Sequence, residues 1–178
     1  MQQPSRRQVP TKILTLVLVS LIVSVPSPLV GQVEDERVSL RGIPYVYVVI
    51  DINNDGDLLQ RDTGISDNSL RNRAIARLRT SRIPVVETVP EKGGAAVLTV
   101  QLRALQHEGR ASYTWSLDVT IAQHVALLRD PSIDFVAVTW GNHAFGSGPA
   151  SQVADAIPRK LDQFLDRFIN EFLAENEQ

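Results

Sequence analysis

Three stretches decide the fold: Leu98-Thr99-Val100-Gln101-Leu102-Arg103, Trp115-Ser116-Leu117-Asp118-Val119-Thr120-Ile121 and Val136-Ala137-Val138-Thr139-Trp140. Apolar and polar residues alternate in each, the period of a strand with one face buried. Two turn signals separate them, His107-Glu108-Gly109-Arg110 and the tighter Asp130-Pro131. The three runs read as an antiparallel meander. Setting Gln106 opposite Ala111 brings Leu102 to Trp115 and Val100 to Leu117. Setting Arg129 opposite Ser132 brings Ile121 to Trp140. Every apolar residue of the three runs then faces one side, Val136 and Val138 included. A slip of one residue would turn a whole set outward.

Upstream, Ile43 to Ile52 is almost continuously apolar and β-branched or aromatic, as in a strand buried on both faces. A polar loop from Asn53 to Gly64 follows it. Ser66 then reads as a helix N-cap, with Ile65 and Leu70 placed as a hydrophobic staple. Leu70, Ala74 and Leu78 give that helix one apolar face. Ile83-Pro84-Val85-Val86 is a short strand, which Pro84 assigns to a sheet edge. Gly141 to Pro149 reads as a glycine-rich connection to a last helix, from about Ser151 to Ala174. Val153, Ile157, Leu161, Phe164, Leu165, Phe168 and Phe172 form its apolar stripe. Pro158 interrupts that pattern, which predicts a kink or a later start.

The order is β-α-β-β-β-β-α. It predicts an α+β two-layer sandwich with a mixed, mostly antiparallel sheet and two helices on one face. The first strand, helix and second strand form a right-handed βαβ unit with parallel strands. Residues 32–41 read as a linker, 42–174 as a single domain and 175–178 as a tail.

Residues 1–31 read as an export signal. Arg6, Arg7 and Lys12 make a positive start, and Ile13 to Val25 is apolar apart from Thr15, Ser20 and Ser24. That run is shorter than the roughly 20 residues a membrane-spanning helix needs. Pro26 and Pro28 end it, and Gly31 suits cleavage, so the mature chain has no transmembrane span. The whole chain has 18 basic and 20 acidic residues. Cleavage removes Arg6, Arg7 and Lys12 and no acid, so the mature protein is acidic. That balance gives no reason to expect a nucleic-acid partner. With no cysteine there is no disulfide, no thiolate metal site and no Cys nucleophile. An exported chain without disulfides points to a bacterial periplasmic or extracellular setting.

Leu40-Arg41-Gly42, Tyr45-Val46-Tyr47-Val48, Ala76-Arg77-Leu78-Arg79, Ile83-Pro84-Val85, the strand from Asp118 to Leu128 and Ala137-Val138-Thr139-Trp140 together resemble small uncharacterised exported bacterial proteins. The element order is similar to the amino-terminal domain of TolB and to other α+β envelope modules. The likeness covers most of residues 40–173 and contains no catalytic motif. It implies partner binding, and no binding residue carries over from it.

Asp51-Ile52-Asn53-Asn54-Asp55-Gly56-Asp57 with Asp62 resembles the calcium loop of EF-hands and dockerins, with Asp51, Asn53, Asp55 and Asp62 at ligand positions and Gly56 at the turn. A strand enters this loop where an EF-hand has a helix, and an Asn/Asp/Gly-rich turn needs no metal. No other cofactor is indicated. Asp62-Thr63-Gly64 matches the aspartic-protease triplet, but Gln60 and Arg61 precede it where that site needs apolar residues. His143 falls opposite Asp118, an Asp–His pair able to serve acid–base chemistry in a hydrolase, yet no motif positions a nucleophile. Gly146-Ser147-Gly148 offers either an anion nest or a flexible connection. Arg71, Arg73, Arg77, Arg79 and Arg82 make the first helix basic, and the last helix carries an acidic excess. The two sets can pair across a groove, or the basic set can meet an anionic partner.

The sequence therefore favours a non-enzymatic module that binds a protein or envelope component. The candidate surface is the outward sheet face, with Gln101, Arg103, Asp118, Thr120 and His124 as its polar contacts, joined by Thr99, Ser116, Phe135 and Thr139. Alternatives are a hydrolase built on Asp118 and His143 and a calcium-dependent module built on the Asp51–Asp62 loop. The leader predicts a mature chain beginning near Gln32, recovered outside the cytoplasm; amino-terminal sequencing checks it, and full-length chain in the cytosol would refute it.

Overall fold

A computed structural model describes residues 36–88 and 94–176. Residues 1–35, including the segment read as an export signal, lie outside them. Strand β1 spans Tyr45–Asn54, helix α1 Gly56–Thr63 and helix α2 Asp67–Thr80. Strands β2 (Val85–Val86), β3 (Ala95–Gln106), β4 (Ser112–Leu127) and β5 (Asp130–Pro149) follow, and helix α3 (Ala150–Asn176) closes the chain. The sheet order is β2-β1-β3-β4-β5. β1 runs parallel to β2 and to β3, and the β3–β4 and β4–β5 pairs are antiparallel. The result is the α+β architecture expected from the alternation. Among the described residues, no helix is long and apolar enough to cross a membrane.

One face of the sheet makes the core. Val46, Val48 and Ile50 of β1, the even residues from Ala96 to Ala104 of β3 and the odd residues from Tyr113 to Ile121 of β4 are buried there with Trp140. α2 adds Leu70, Ala74 and Leu78, and α3 adds Val153, Ile157, Leu161, Leu165, Phe168 and Phe172. Trp140 meets Phe168 edge-on, ring centroids 5.2 Å apart. Such a pair contributes about 0.5–1.5 kcal/mol beyond the area it buries.

Local signals explain the ends of α2 and the place of β2. Ser66 caps α2 by accepting from the Ser69 amide, and the Ser69 side chain returns to the Ser66 amide. Ile65 and Leu70 are both buried against that turn. β2 is indeed an edge strand, beside β1.

Four readings are corrected. The segment from Asn53 to Gly64 is not a loop: β1 continues to Asn54, and α1 follows with Leu59 fully buried. Gly64 ends α1 at φ 75°, the left-handed conformation that glycine tolerates best. Gly141 to Pro149 is not a free connection but the paired end of β5, Gly146 facing Trp115 and Gly148 facing Tyr113. A Cβ on Gly146 would come within 2.7 Å of the Trp115 ring, so glycine lets the indole lie on the strand. Residues 36–41, read as linker, start with a helical turn at 36–38 and bury Leu40 completely. Glu175, read as tail, is buried and pairs with Arg37 at 3.0 Å and Arg41 at 2.7 Å.

The meander pairs with its predicted faces but not its predicted register throughout. β3 and β4 are offset by two residues, so Leu102 meets Leu117 and Ala104 meets Trp115. The connection is longer than a four-residue turn, with Gly109 left-handed and the His107 amide bonded to the Ser112 carbonyl. A two-residue offset leaves every side chain on its face. β4 and β5 match the expected register from Ser112 to Ile121, Ile121 facing Trp140. There a bulge sets Ala122 against Val138, so Thr139 is extra. The odd residue turns Val136 and Val138 away from the core, 59% and 64% exposed. It brings Phe135 opposite Val125 and Thr139 onto Gln123, at 2.6 Å, on the core side. A second irregularity beyond Ala126 puts the turn at Leu128-Arg129, since Leu127 pairs with Asp130.

The basic and acidic helices are neighbours. Arg73 binds Asp162 through two hydrogen bonds of 2.7 Å, and Arg77 binds Asp166 and lies 3.7 Å from Asp162. The bonds with Arg73 hold the Asp162 carboxyl below its ordinary range. Each such partly exposed pair is worth about 0–1 kcal/mol. Reversing Arg73 and Arg77 together to Glu is therefore expected to lower the urea midpoint modestly at low salt and less at high salt; an unchanged midpoint at low salt would show that the pairs contribute nothing.

Candidate functional site

Because β1, β3 and β4 alternate strictly as far as Ile121, their odd, odd and even residues share the face turned away from the helices. No described residue covers that face. Register lines it up in rows: Tyr47, Val97, Ala122 and Val138; Val49, Thr99, Thr120 and Gly141; Asp51, Gln101, Asp118 and His143; Asn53, Arg103, Ser116 and Phe145. The first row, with Tyr45, Val86 and Val136 at its margins, is apolar. The third is polar. Phe145, 79% exposed, stands beyond it.

The polar row is bonded internally. Asp51 accepts from Asn53 and from Gln101, each at 2.8 Å, and Arg103 donates to the Gln101 side-chain oxygen at 2.7 Å. Asp118 and His143 meet through Nδ1 at 2.6 Å. The His143 ring is tilted against Phe145, centroids 6.1 Å apart. Gln101, Arg103, Asp118 and Thr120 are thus brought together, as the alternation implied. His124 lies farther along, on the hairpin that projects past the helix layer, 3.4 Å from Asp134. Phe135 and Thr139, expected on the open face, leave it through the bulge. Val136, Val138 and Tyr45 belong to it and were missed. An out-of-register residue has no signature in the alternation, so no sequence signal marks the exchange.

The Asp118–His143 pair has the geometry of an acid–base dyad. Among the described residues, however, no hydroxyl hydrogen-bonds the imidazole. A hydrolase of the serine type needs that contact to make its nucleophile.

The four calcium candidates fall into two pairs, Asp51 with Asn53 and Asp55 with Asp62. Asp51 and Asn53 lie on β1 and turn to the open face. Asp55 accepts the Gln106 amide at 2.6 Å, at the far end of β3. Asp62 lies two turns on, in α1, where it accepts from Tyr113 at 2.7 Å and from the Gln106 side chain at 3.2 Å. No three His, Cys, Asp or Glu among the described residues are placed to share a metal ion. The reason is backbone geometry: a calcium loop curls its ligands inward, whereas here Asp51 and Asn53 lie on a strand, Asp55 at the N-cap and Asp62 within the helix that follows it.

Asp62 instead anchors α1 to the sheet. Its bonds with Arg61 and then Tyr113 hold its carboxyl below the ordinary value. Burial, and after it the bond to Asp62, pushes the Tyr113 phenol up to about 12. Arg167 and Glu171 play the same part for α3: Glu171 accepts from the Trp140 indole at 2.6 Å and from Arg167 at 2.8 Å, and Arg167 donates to Asn142 at 2.8 Å.

No family model matches the chain, and no curated protein matches it. Among solved structures it is similar to the PelC dodecamer from Paraburkholderia phytofirmans, at 19% identity and a TM-score of 0.40, covering 70% of this chain and 89% of that one. It is also similar to a minor lipoprotein from Acinetobacter baumannii, at 14% identity and a TM-score of 0.27, covering 76% and 87%. A likeness at this level says nothing of chemistry.

The Tyr113 phenol gives a pH test. Its proton is held more tightly in the fold than in the unfolded chain, so its contribution is complete below pH 10 and is lost as pH rises from 10 to 12. Tyr113→Phe is expected to cost about 1–3 kcal/mol at pH 7, since Asp62 loses a donor. It should also flatten the fall in stability between pH 10 and 12, as measured by urea unfolding.

Proposed function

We propose that this chain is an exported, non-enzymatic module that binds a protein of the bacterial envelope or its surroundings through the open face of its sheet. The carrying observation is the apolar row of Tyr47, Val97, Ala122 and Val138, widened by Tyr45 and Val136, on a face that no described residue covers. A soluble monomer rarely leaves a contiguous apolar patch uncovered unless something docks there. The neighbouring row of Asp51, Gln101, Asp118 and His143 supplies polar groups at its rim, the usual division of an interface into apolar centre and polar edge. Gln101, Arg103, Asp118 and Thr120 are the contacts that set register, and His124 extends them along the hairpin. Export rests on the leader of residues 1–31.

The hairpin beyond Ile121 belongs to the same surface. Two strands alone bury too little to be stable in water, and this pair carries Val136, Ile133 and Leu128 exposed. A partner that covers it gains apolar area without any rearrangement of the core.

Val136→Lys together with Val138→Lys is expected to abolish capture of the partner from envelope extract, with an unchanged circular dichroism spectrum. Lys160→Glu, on the helix layer, should leave capture intact. Equal capture by both variants would sink the reading. Ester hydrolysis lost on His143→Ala would replace it with the hydrolase built on Asp118 and His143.

A further inference from the structure

β5 is an outermost strand of the sheet, with β4 on one side of it and no strand on the other. The outer edge of such a strand offers a row of backbone donors and acceptors to any strand that comes beside it. Proteins blunt these edges with lysine, with proline or with a covering loop or helix. β5 has none of these along its middle. From Asp130 to Pro149 it carries no Lys or Arg, and proline stands only near its two ends, at Pro131 and Pro149. Between Ile133 and Thr139, one backbone group is bonded from outside β4 among the described residues: the Thr139 carbonyl accepts from the Ser39 hydroxyl.

The same stretch is apolar on both of its faces. Val136 and Val138 are exposed on the open face, and Ile133 and Phe135, by alternation, on the other. Leu128 is fully exposed at the turn. Of the nine large apolar side chains exposed among the described residues, these five lie on one hairpin, so the exposure is concentrated beside the open edge. A hairpin of two strands is marginal in water, and at least a third strand with a covered apolar face is needed to hold it.

Self-pairing meets these needs together. A two-fold axis through Val136, normal to the sheet, sets β5 antiparallel to the β5 of a second copy. Val136 then faces Val136, Asp134 faces Val138, Phe135 faces Ala137 and Ile133 faces Thr139. The members of each pair share a face, so both apolar faces continue across the join. No base meets a base, and Asp134 meets a valine and not another acid. The ladder ends at Thr139, because the bulge there puts Trp140 and Ser132 on different faces. The two hairpins become a four-stranded sheet. Five large apolar side chains and a backbone edge supply on the order of several hundred Å² per copy, which approaches the roughly 800 Å² per partner of a standard interface. We infer that the outer edge of β5 from Ile133 to Thr139 is a self-association surface, on which a second copy of this chain adds its own β5 about Val136. The two sheets then form one, and their open faces become a single continuous surface.

The inference concerns the edge of β5 and needs no envelope partner. Purified mature chain tests it, whereas capture from extract tests the open face, so the two fail separately. The chain is expected to sediment as a dimer at tens of micromolar. Val136→Lys sets like charges opposite each other and should weaken the dimer at least about tenfold. Phe135→Lys should weaken it as much, because edge pairing joins both faces of the hairpin. Tyr45→Lys, on the open face away from β5, should leave it intact. Circular dichroism checks that each variant is folded. The chain has no cysteine, so Val136→Cys gives a second readout that disturbs the fold little. Cβ atoms of directly opposed residues lie about 4.5–5.5 Å apart, close enough for a disulfide after a small shift. Mild oxidation should therefore link Val136→Cys chains in pairs and leave Lys160→Cys chains, altered on the helix layer, single. A monomer at tens of micromolar, no link through Val136→Cys, or a dimer that survives Phe135→Lys would each overturn the inference. A dimer lost with Tyr45→Lys would overturn it in favour of two open faces stacked on each other.

Discussion

Alternate residues of a strand point to opposite faces, and the faces of this sheet are set by that period being kept as far as Trp140 and broken beyond it. Up to Ile121 and Trp140 the apolar set of every strand faces the helices and fills one core. Past that step Thr139 is one residue too many for its partner strand. The bulge sends Val136 and Val138 to the uncovered face and brings Phe135 to the other. The hairpin beyond it has no helix to pack on, because α3 ends its course over β4 and β5 where residues 36–41 cross to Glu175 and Thr139. One extra residue therefore separates the part of β4 and β5 that packs under the helices from the hairpin that extends beyond them.

The helix layer is held by apolar packing and oriented by polar bonds. Trp140, Phe168 and Phe172 form the aromatic centre under α3. Large aromatic truncations at such a site cost about 3–5 kcal/mol, well above the 0–1 kcal/mol of an exposed ion pair. The Arg73–Asp162 and Arg77–Asp166 pairs accordingly fix the angle and register of α2 against α3 more than they add stability. The basic surface of α2, taken alone, suggested an anionic partner; in the folded chain two of its four arginines, Arg73 and Arg77, are engaged by α3, and Arg71 donates to the Val48 carbonyl. Asn142 shows the cost of this arrangement. Its oxygen serves Arg167, while its buried Nδ2 finds no acceptor among the described residues.

Two surfaces with different chemistry lie on either side of β5. The open face is broad, apolar at one end and internally hydrogen-bonded at the other. The cleft under α3 is small and is lined by Trp115, Gly146, Gln152, Asp155 and Arg159 among others. β5 contributes to both because its residues alternate between them: Phe145 and His143 to the open face, Gly146 to the cleft.

The sequence by itself determined the strands, the capped helix α2, the apolar stripe of α3, the two-layer architecture and the pairing of Ile121 with Trp140. It also placed Gln101, Arg103, Asp118 and Thr120 on one face and His143 beside Asp118. All of these follow from periods of 2 and 3.6 residues and from capping, which act over short stretches of chain. Tertiary structure alone decided the bulge at Thr139, the two-residue offset between β3 and β4, the strand conformation of Gly141–Pro149 and the separation of Asp51 and Asn53 from Asp62. Each depends on a contact between residues distant in sequence: Trp115 on Gly146, Tyr113 on Asp62, Glu175 on Arg41. A local pattern cannot carry that information, because it is the partner across the fold that makes one backbone course lower in free energy than another.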